Sequence, residues 1–176
     1  MAPSLVGVKY YRIEGDGLQW PVPNCEHPGT CTLHKDGCFT CGQGRFTPID
    51  WTPPAEVPDA EFPFVLSTGR RLYQYHSRTQ TGRCLGLNDI LREETADISP
   101  VDAARLEIKH DEKIKVKSRR GEVQVKAKVT KEVPQGMVWM AFHFREACAN
   151  WLTNPVFDPV SQTAEYKACA VQIEKI

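Results

Sequence analysis

The chain has 176 residues, with 22 basic and 22 acidic side chains, 41% hydrophobic residues and seven cysteines. That length suits one domain, or a small domain with an appended segment, and is enough to bury a core. Balanced charge argues against a general nucleic-acid binder, and no apolar run reaches the roughly 18 residues that a membrane-spanning helix needs. The N-terminus, MAPSLVGVKYYR, lacks the charged-then-apolar order of a signal peptide, so the expected setting is the cytoplasm.

Up to Pro63 the chain carries nine of its 13 prolines and seven of its 12 glycines, which favours turns over long regular elements. Residues 1–61 therefore read as an irregular segment. Within it Cys25, Cys31, Cys38 and Cys41 fall close together, spaced C-x5-C-x6-C-x2-C, with His27 and His34 among them. Four thiolates in a Gly-rich loop can satisfy a tetrahedral zinc or hold an iron-sulfur cluster, and reduced thiols without metal are the competing reading. An odd number of cysteines without an export signal argues against a disulfide framework. Pro53, Pro54, Pro58 and Pro63 then make a stiff, extended entry into residues 62–176.

The stretch FVLSTGRRLYQYHSRTQTG, from Phe64 to Gly82, reads as a buried strand that empties into an anion-binding loop. No Asp or Glu occurs between Glu61 and Asp89, so the loop's arginines have no local carboxylate to pair with. Small residues let backbone N–H groups approach a phosphate, and arginine forks match phosphate oxygens in a bidentate way. The expected ligand is large, phosphorylated and aromatic.

Downstream, Ser99-Pro100-Val101-Asp102 offers an N-cap, a proline at the first helical position and an acid at the third. A short helix is expected from Pro100 to about Leu106, with Val101, Ala104 and Leu106 on its core face. Ile114, Val116 and Ser118 alternate with lysines, Arg119-Arg120-Gly121 turns, and Val123, Val125, Ala127 and Val129 alternate with polar residues, which predicts a β-hairpin with one buried face. A second turn at Val133 to Gly136 leads into a buried strand, Met137 to Phe142, that ends at His143. A short helix from Glu146 to Leu152, stopped by Asn154-Pro155, and a closing strand over Ala168 to Ile173 complete the pattern. Several short strands with two short helices predict a mainly β, small closed barrel.

The ordered run of STGRRLYQYHSRTQTG, ISPVDAARLEI, KVKSRRGEV, MAFHFREACANWLTNPVFDP and EYKACAV resembles the C-terminal dinucleotide-binding domain of formate dehydrogenase catalytic (alpha) subunits, in the molybdopterin oxidoreductase superfamily. GLQWPVP, HPGT and LH, between Gly17 and His34, extend the likeness into the N-terminal segment. The resemblance implies a double-psi β-barrel that closes over molybdopterin guanine dinucleotide carrying molybdenum or tungsten. It implies cofactor-binding roles for Arg70, Arg71, Leu72, Gln74, Tyr75 and His76, then for Phe142, His143 and Asn150, and finally for Tyr166 and Lys167. Gln74 stands where many relatives have His, and Gln80 where many have Met.

The family's catalytic cysteine or selenocysteine, its neighbouring His, its catalytic Arg and its N-terminal iron-sulfur ligands belong to upstream domains. Cys84, Cys148 and Cys169 match none of those motifs, so this chain alone is expected to catalyse nothing. It reads as a split subunit or a domain of a formate dehydrogenase or carbon dioxide reductase. The expected partners are the large molybdopterin-binding part of the enzyme and iron-sulfur electron-transfer subunits, with no membrane. Other superfamily members, such as nitrate reductase or formylmethanofuran dehydrogenase, share the barrel. A separate alternative is a non-enzymatic, metal-stapled module that grips a nucleotide or single-stranded nucleic acid with the Arg70 to Arg78 loop.

Overall fold

A computed structural model describes residues 2–35, 37, 39 and 42–176, in two compact units, Met1–Asp50 and Trp51–Ile176. The first unit is built from turns. Short 3-10 turns at Pro3–Leu5 and Tyr10–Arg12 are joined by single hydrogen bonds, such as Gly7 N to Val22 O (2.8 Å) and Val22 N to Ser4 O (2.7 Å). Arg12 ties the turns together by donating to the carbonyls of Gly7 (2.8 Å) and His27 (2.7 Å). Fully buried Val22 is the unit's one apolar anchor among the described residues, so backbone carbonyls captured by Arg12 do the work that a core would do elsewhere.

The second unit is a closed six-stranded barrel. Its strands are β1 Phe64–Gly69, β2 Thr95–Ile98, β3 Lys113–Lys117, β4 Glu122–Val129, β5 Met137–Ala141 and β6 Cys169–Lys175, closed in the order β1-β5-β2-β4-β3-β6. Two pairs, β1 with β5 and β2 with β4, run parallel, and the other pairs run antiparallel. This is the expected double-psi barrel. Period-two alternation puts Phe64, Leu66, Ile114, Val116, Val123, Val125, Ala127, Val138, Met140, Val171 and Ile173 into one buried cluster. The predicted hairpin falls at β3 and β4, with Ile114 opposite Val125 and Val116 opposite Val123.

Two helices lie outside the barrel wall, α1 at Leu85–Ile90 and α2 at Pro100–Arg105. Ser99 caps α2 as expected, its hydroxyl accepting from Asp102 N (3.1 Å). The predicted core face of α2 is corrected in part: Leu106 packs against the core as expected, but Val101 and Ala104 are exposed, whereas Asp102 and Ala103 are buried. Asp102 can turn inward because its carboxylate accepts from Ser99 Oγ (2.7 Å), Gly136 N (2.7 Å) and Arg105 (3.0 Å). The expected helix from Glu146 to Leu152 is likewise replaced by two 3-10 turns, Arg145–Ala147 and Ala149–Trp151, separated at Cys148, whose backbone is extended.

The register of β1 and β5 sets up the site. Gly69 lies opposite Ala141, so the two parallel strands end side by side and release the 70–78 loop and the 142–154 segment at the same edge. Glycine is required at 69 because a Cβ there would meet Trp139 Cζ2 at 2.5 Å. No helix among the described residues is long and apolar enough to cross a membrane.

Candidate functional site

Arg70 and Arg71 leave β1 in opposite directions, and their surroundings differ sharply. The Arg71 guanidinium is packed over Trp139 at 4.6 Å and grips Asp97 Oδ1 (2.6 Å), Asp97 Oδ2 (3.4 Å) and Thr95 Oγ1 (2.6 Å). Arg70 is exposed, has no ion pair among the described residues, and stands 5.1 Å from the centre of the Phe142 ring. The absence of nearby acids in sequence therefore held only locally. Asp97 reaches Arg71 from β2, and Glu146 comes within 3.7 Å of Arg78 from beyond β5. One cation of the pair is consumed by the fold, and the other is available.

Under Arg71 lies Glu94, fully enclosed, with Oε1 accepting from Ala141 N (3.0 Å) and Thr95 N (3.1 Å) and lying 3.7 Å from Arg71. Its Oε2 has no hydrogen-bond partner among the described residues. Burial pushes its carboxyl up to about 7, against the smaller opposing pull of the two amides and Arg71.

Gln74 points into the protein. Its amide donates to Leu91 O (3.1 Å) and Asn88 Oδ1 (3.3 Å), and its carbonyl accepts from Thr81 Oγ1 (2.7 Å). These bonds fold residues 74–91 into a self-supporting arch, closed by Arg78 donating to Asn88 (3.0 Å) and stacking on Phe144 at 4.3 Å. His76 and Arg78 take positive φ values, +46° and +60°, at the bends of this arch. Leu72 and Tyr75 project outward at its rim, 88% and 73% exposed.

His143 is buried and bonded at both ring nitrogens. Nε2 accepts from Arg71 N (2.8 Å), and Nδ1 donates to the His76 carbonyl. Tyr166 and Lys167 are fastened to the end of β1, because Thr68 Oγ1 donates to Tyr166 O (2.6 Å) and the Lys167 ammonium donates to Thr68 O.

Five of the sequence-predicted residues meet around one cavity of about 440 Å³: Arg70, His76, Phe142, Asn150 and Tyr166. Arg71, Gln74 and His143 do not line it, and each is hydrogen-bonded within the fold. Sequence reasoning missed Phe157 and Asn154, which also line it. Phe157 forms an isolated antiparallel bridge with Ala164, outside any strand. Asn154 was read only as a helix stop, yet it is buried, and its Nδ2 donates to Glu165 Oε2 (3.1 Å) and Ala168 O (3.3 Å). Those bonds fix the amide's orientation and leave Asn154 Oδ1 enclosed without a partner among the described residues.

The cavity thus offers aromatic faces from Phe142, Phe157 and Tyr166 and one guanidinium without an ion pair among the described residues. These are the features that a ring system with a phosphate tail would use.

Of the four cysteines read as metal ligands, Cys25 and Cys31 are exposed free thiols, and Cys38 and Cys41 lie outside the described residues. Among the described residues no group of three or more His, Cys, Asp or Glu side chains is placed to hold a metal ion.

Comparison with known proteins bears on this same region. A family model described as "Molydopterin dinucleotide binding domain" matches residues 64–170. Over all of its length the chain is 46% identical to the F420-dependent formate dehydrogenase 1 subunit alpha of Methanococcus maripaludis, and 42% identical to the F420-dependent formate dehydrogenase subunit alpha of Methanocaldococcus jannaschii. In both cases it spans 26% of the relative's length, so the chain corresponds to about a quarter of these proteins. Among solved structures, acetylene hydratase from Pelobacter acetylenicus superposes with a TM-score of 0.58 at 16% identity, over 65% of this chain and 18% of that one. At that identity the likeness is one of fold.

Proposed function

Because the chain belongs to the molydopterin dinucleotide binding domain family, we propose that it is the C-terminal dinucleotide-holding part of a formate dehydrogenase alpha-type protein. The observation that carries this reading is the cavity at the paired ends of β1 and β5, where unpaired Arg70 faces the rings of Phe142, Phe157 and Tyr166. When bound, molybdopterin guanine dinucleotide would supply the molybdenum or tungsten at which formate is oxidised to carbon dioxide or formed from it. The residues of this chain do something different: they bind and orient.

In this reading Arg70 donates a charge-assisted fork to a phosphate of the dinucleotide, and Asn150 and Tyr166 supply hydrogen-bonding groups along its edge. Leu72 and Tyr75, exposed at the rim of the arch, pack against the remainder of the enzyme. Glu94, Arg71 and Gln74 hold the arch without touching the ligand.

The enzyme's other domains carry the reacting centre, and iron-sulfur subunits pass its electrons onward. Free thiols at Cys25, Cys31, Cys84, Cys148 and Cys169 suit a reducing compartment, which accords with the cytoplasm.

The test is Arg70→Ala in the complete enzyme. Losing one charge-assisted contact should weaken dinucleotide retention about tenfold while leaving the barrel's unfolding midpoint unchanged. Full dinucleotide content in that variant would remove the proposed role of the cavity.

A further inference from the structure

We infer that His143 is a positioning residue, which sets the shape of the ligand-facing loop without being a ligand itself. The inference rests on the dinucleotide reading above and deepens it. Three observations carry it.

The first is that both ring nitrogens are already used. Nε2 accepts from the backbone N–H of Arg71 at 2.8 Å, and Nδ1 donates to the carbonyl of His76. A ring that accepts at one nitrogen and donates at the other is the neutral imidazole protonated at Nδ1, and it has no hydrogen-bonding capacity left for a ligand.

The second is burial. His143 is only 2% exposed, and its ring sits between those of Phe142 and Phe144, at centroid distances of 5.3 and 6.4 Å. It does not line the cavity, although its chain neighbour Phe142 does.

The third is where the two bonded atoms lie. Arg71 N follows directly on Arg70, and His76 O belongs to a residue that itself lines the cavity. His76 adopts φ +46°, a left-handed conformation that costs a side-chain-bearing residue energy and must be held by its surroundings. The imidazole therefore pins both ends of the six-residue span from Arg71 to His76, and the side chains of Arg70, just before it, and of His76, at its end, line the cavity. Its own position is fixed because β5 ends two residues earlier at Ala141, hydrogen-bonded beside Gly69.

A glutamine can imitate this brace, since its amide, like the neutral ring, has one accepting atom and one donating atom. A phenylalanine fills the space but makes neither bond. The experiment compares wild-type enzyme with H143Q, H143F and R70A, by dinucleotide content after gel filtration and by hydrogen exchange at the Arg71 amide.

The inference expects H143F to lose dinucleotide about tenfold and to expose the Arg71 amide to exchange, and H143Q to restore both. Unchanged dinucleotide content in H143F, with R70A depleted, overturns the positioning role and leaves the binding reading standing. Unchanged content in both H143F and R70A overturns both. If H143F does not fold, H143Q decides alone: a protected Arg71 amide with retained dinucleotide supports the brace, and loss of either overturns it.

Discussion

Two arginine pairs stand at the ends of barrel elements, Arg119-Arg120 at the turn between β3 and β4 and Arg70-Arg71 after β1, and they use their charge differently. At the hairpin turn both guanidiniums are committed. Arg119 reaches Glu56 at 2.7 Å and also binds Asp59, while Arg120 reaches Glu56 at 2.7 Å and the carbonyl of Leu152 at 2.9 Å. After β1 only Arg71 is committed, to Asp97 and Thr95, and Arg70 is left facing an aromatic cavity. The difference teaches that an arginine pair in a glycine-bearing loop is a poor mark of a binding site by itself. What marks the site is the guanidinium for which the fold provides no carboxylate.

The strongest way to break the comparison is Asp97→Ala. This removes the shared acceptor of Arg71 (2.6 Å) and Lys128 (3.2 Å), with the aspartate almost wholly enclosed. Removing one partner of a buried pair leaves the other charge uncompensated, so the variant should lose about 3 kcal/mol of stability or somewhat more. Urea unfolding measures this. A loss below about 1 kcal/mol would mean that Arg71 is no more anchored than Arg70.

Glu94 beneath Arg71 gives a second, pH-dependent handle. Its carboxyl is raised from 4.5 in the free side chain to about 7, chiefly by burial. Between those values the folded chain binds a proton that the unfolded chain does not, so stability is highest below the lower value and falls as pH rises through about 7. Wild-type protein should therefore lose up to about 3 kcal/mol between pH 5 and pH 8 from this group. Glu94→Gln, with no proton to lose, should flatten that slope. Parallel slopes in the two proteins, followed by chemical denaturation across pH, would show that Glu94 titrates normally.

The two regions also differ in how far their sequences disclose them. The hairpin was legible because Ile114, Val116, Val123, Val125 and Ala127 repeat with the period of the strand, and each partner lies a few residues away. The strand β1 was legible from its apolar run ending in Ser67-Thr68-Gly69, but which of Arg70 and Arg71 stays free was not, because the acid that captures Arg71 comes from β2. Strand β2 was not legible, because its four residues are too few to show the alternation that buries Ala96 and Ile98, and the burial of Asp97 depends on Arg71 and Lys128 from elsewhere. The inward turn of Asp102 on α2 was hidden likewise, since Gly136 N, one of its donors, is 34 residues away. For the cavity, the family likeness supplied Arg70, His76, Phe142, Asn150 and Tyr166 together. It could not separate ligand-facing residues from supports such as Gln74 and His143, a distinction that depends on where each side chain finds its hydrogen bonds.

The smallest expected effect sharpens the comparison from the hairpin side. Glu56 gathers Arg119, Arg120 and the amide of Ala170 (3.2 Å), fastening the 51–62 segment to the hairpin turn and to β6. Burial pushes its carboxyl up, but the bonds from Arg120, Arg119 and Ala170 outweigh burial and hold it below the ordinary carboxylate range. Its contribution is therefore present at neutral pH and lost only as pH falls into the acid range. Both arginines are partly solvated, so water takes over much of what Glu56→Ala removes, and the expected loss is about 1 kcal/mol at neutral pH. The decisive measurement is dinucleotide content. It should stay at the wild-type level, because Arg119 and Arg120 are spent on the fold and a weakened clasp at that turn leaves the free Arg70 where it was. Depletion of the dinucleotide in Glu56→Ala, with the barrel still folded, would mean that the hairpin arginines also serve the ligand and that the contrast between the two pairs is wrong.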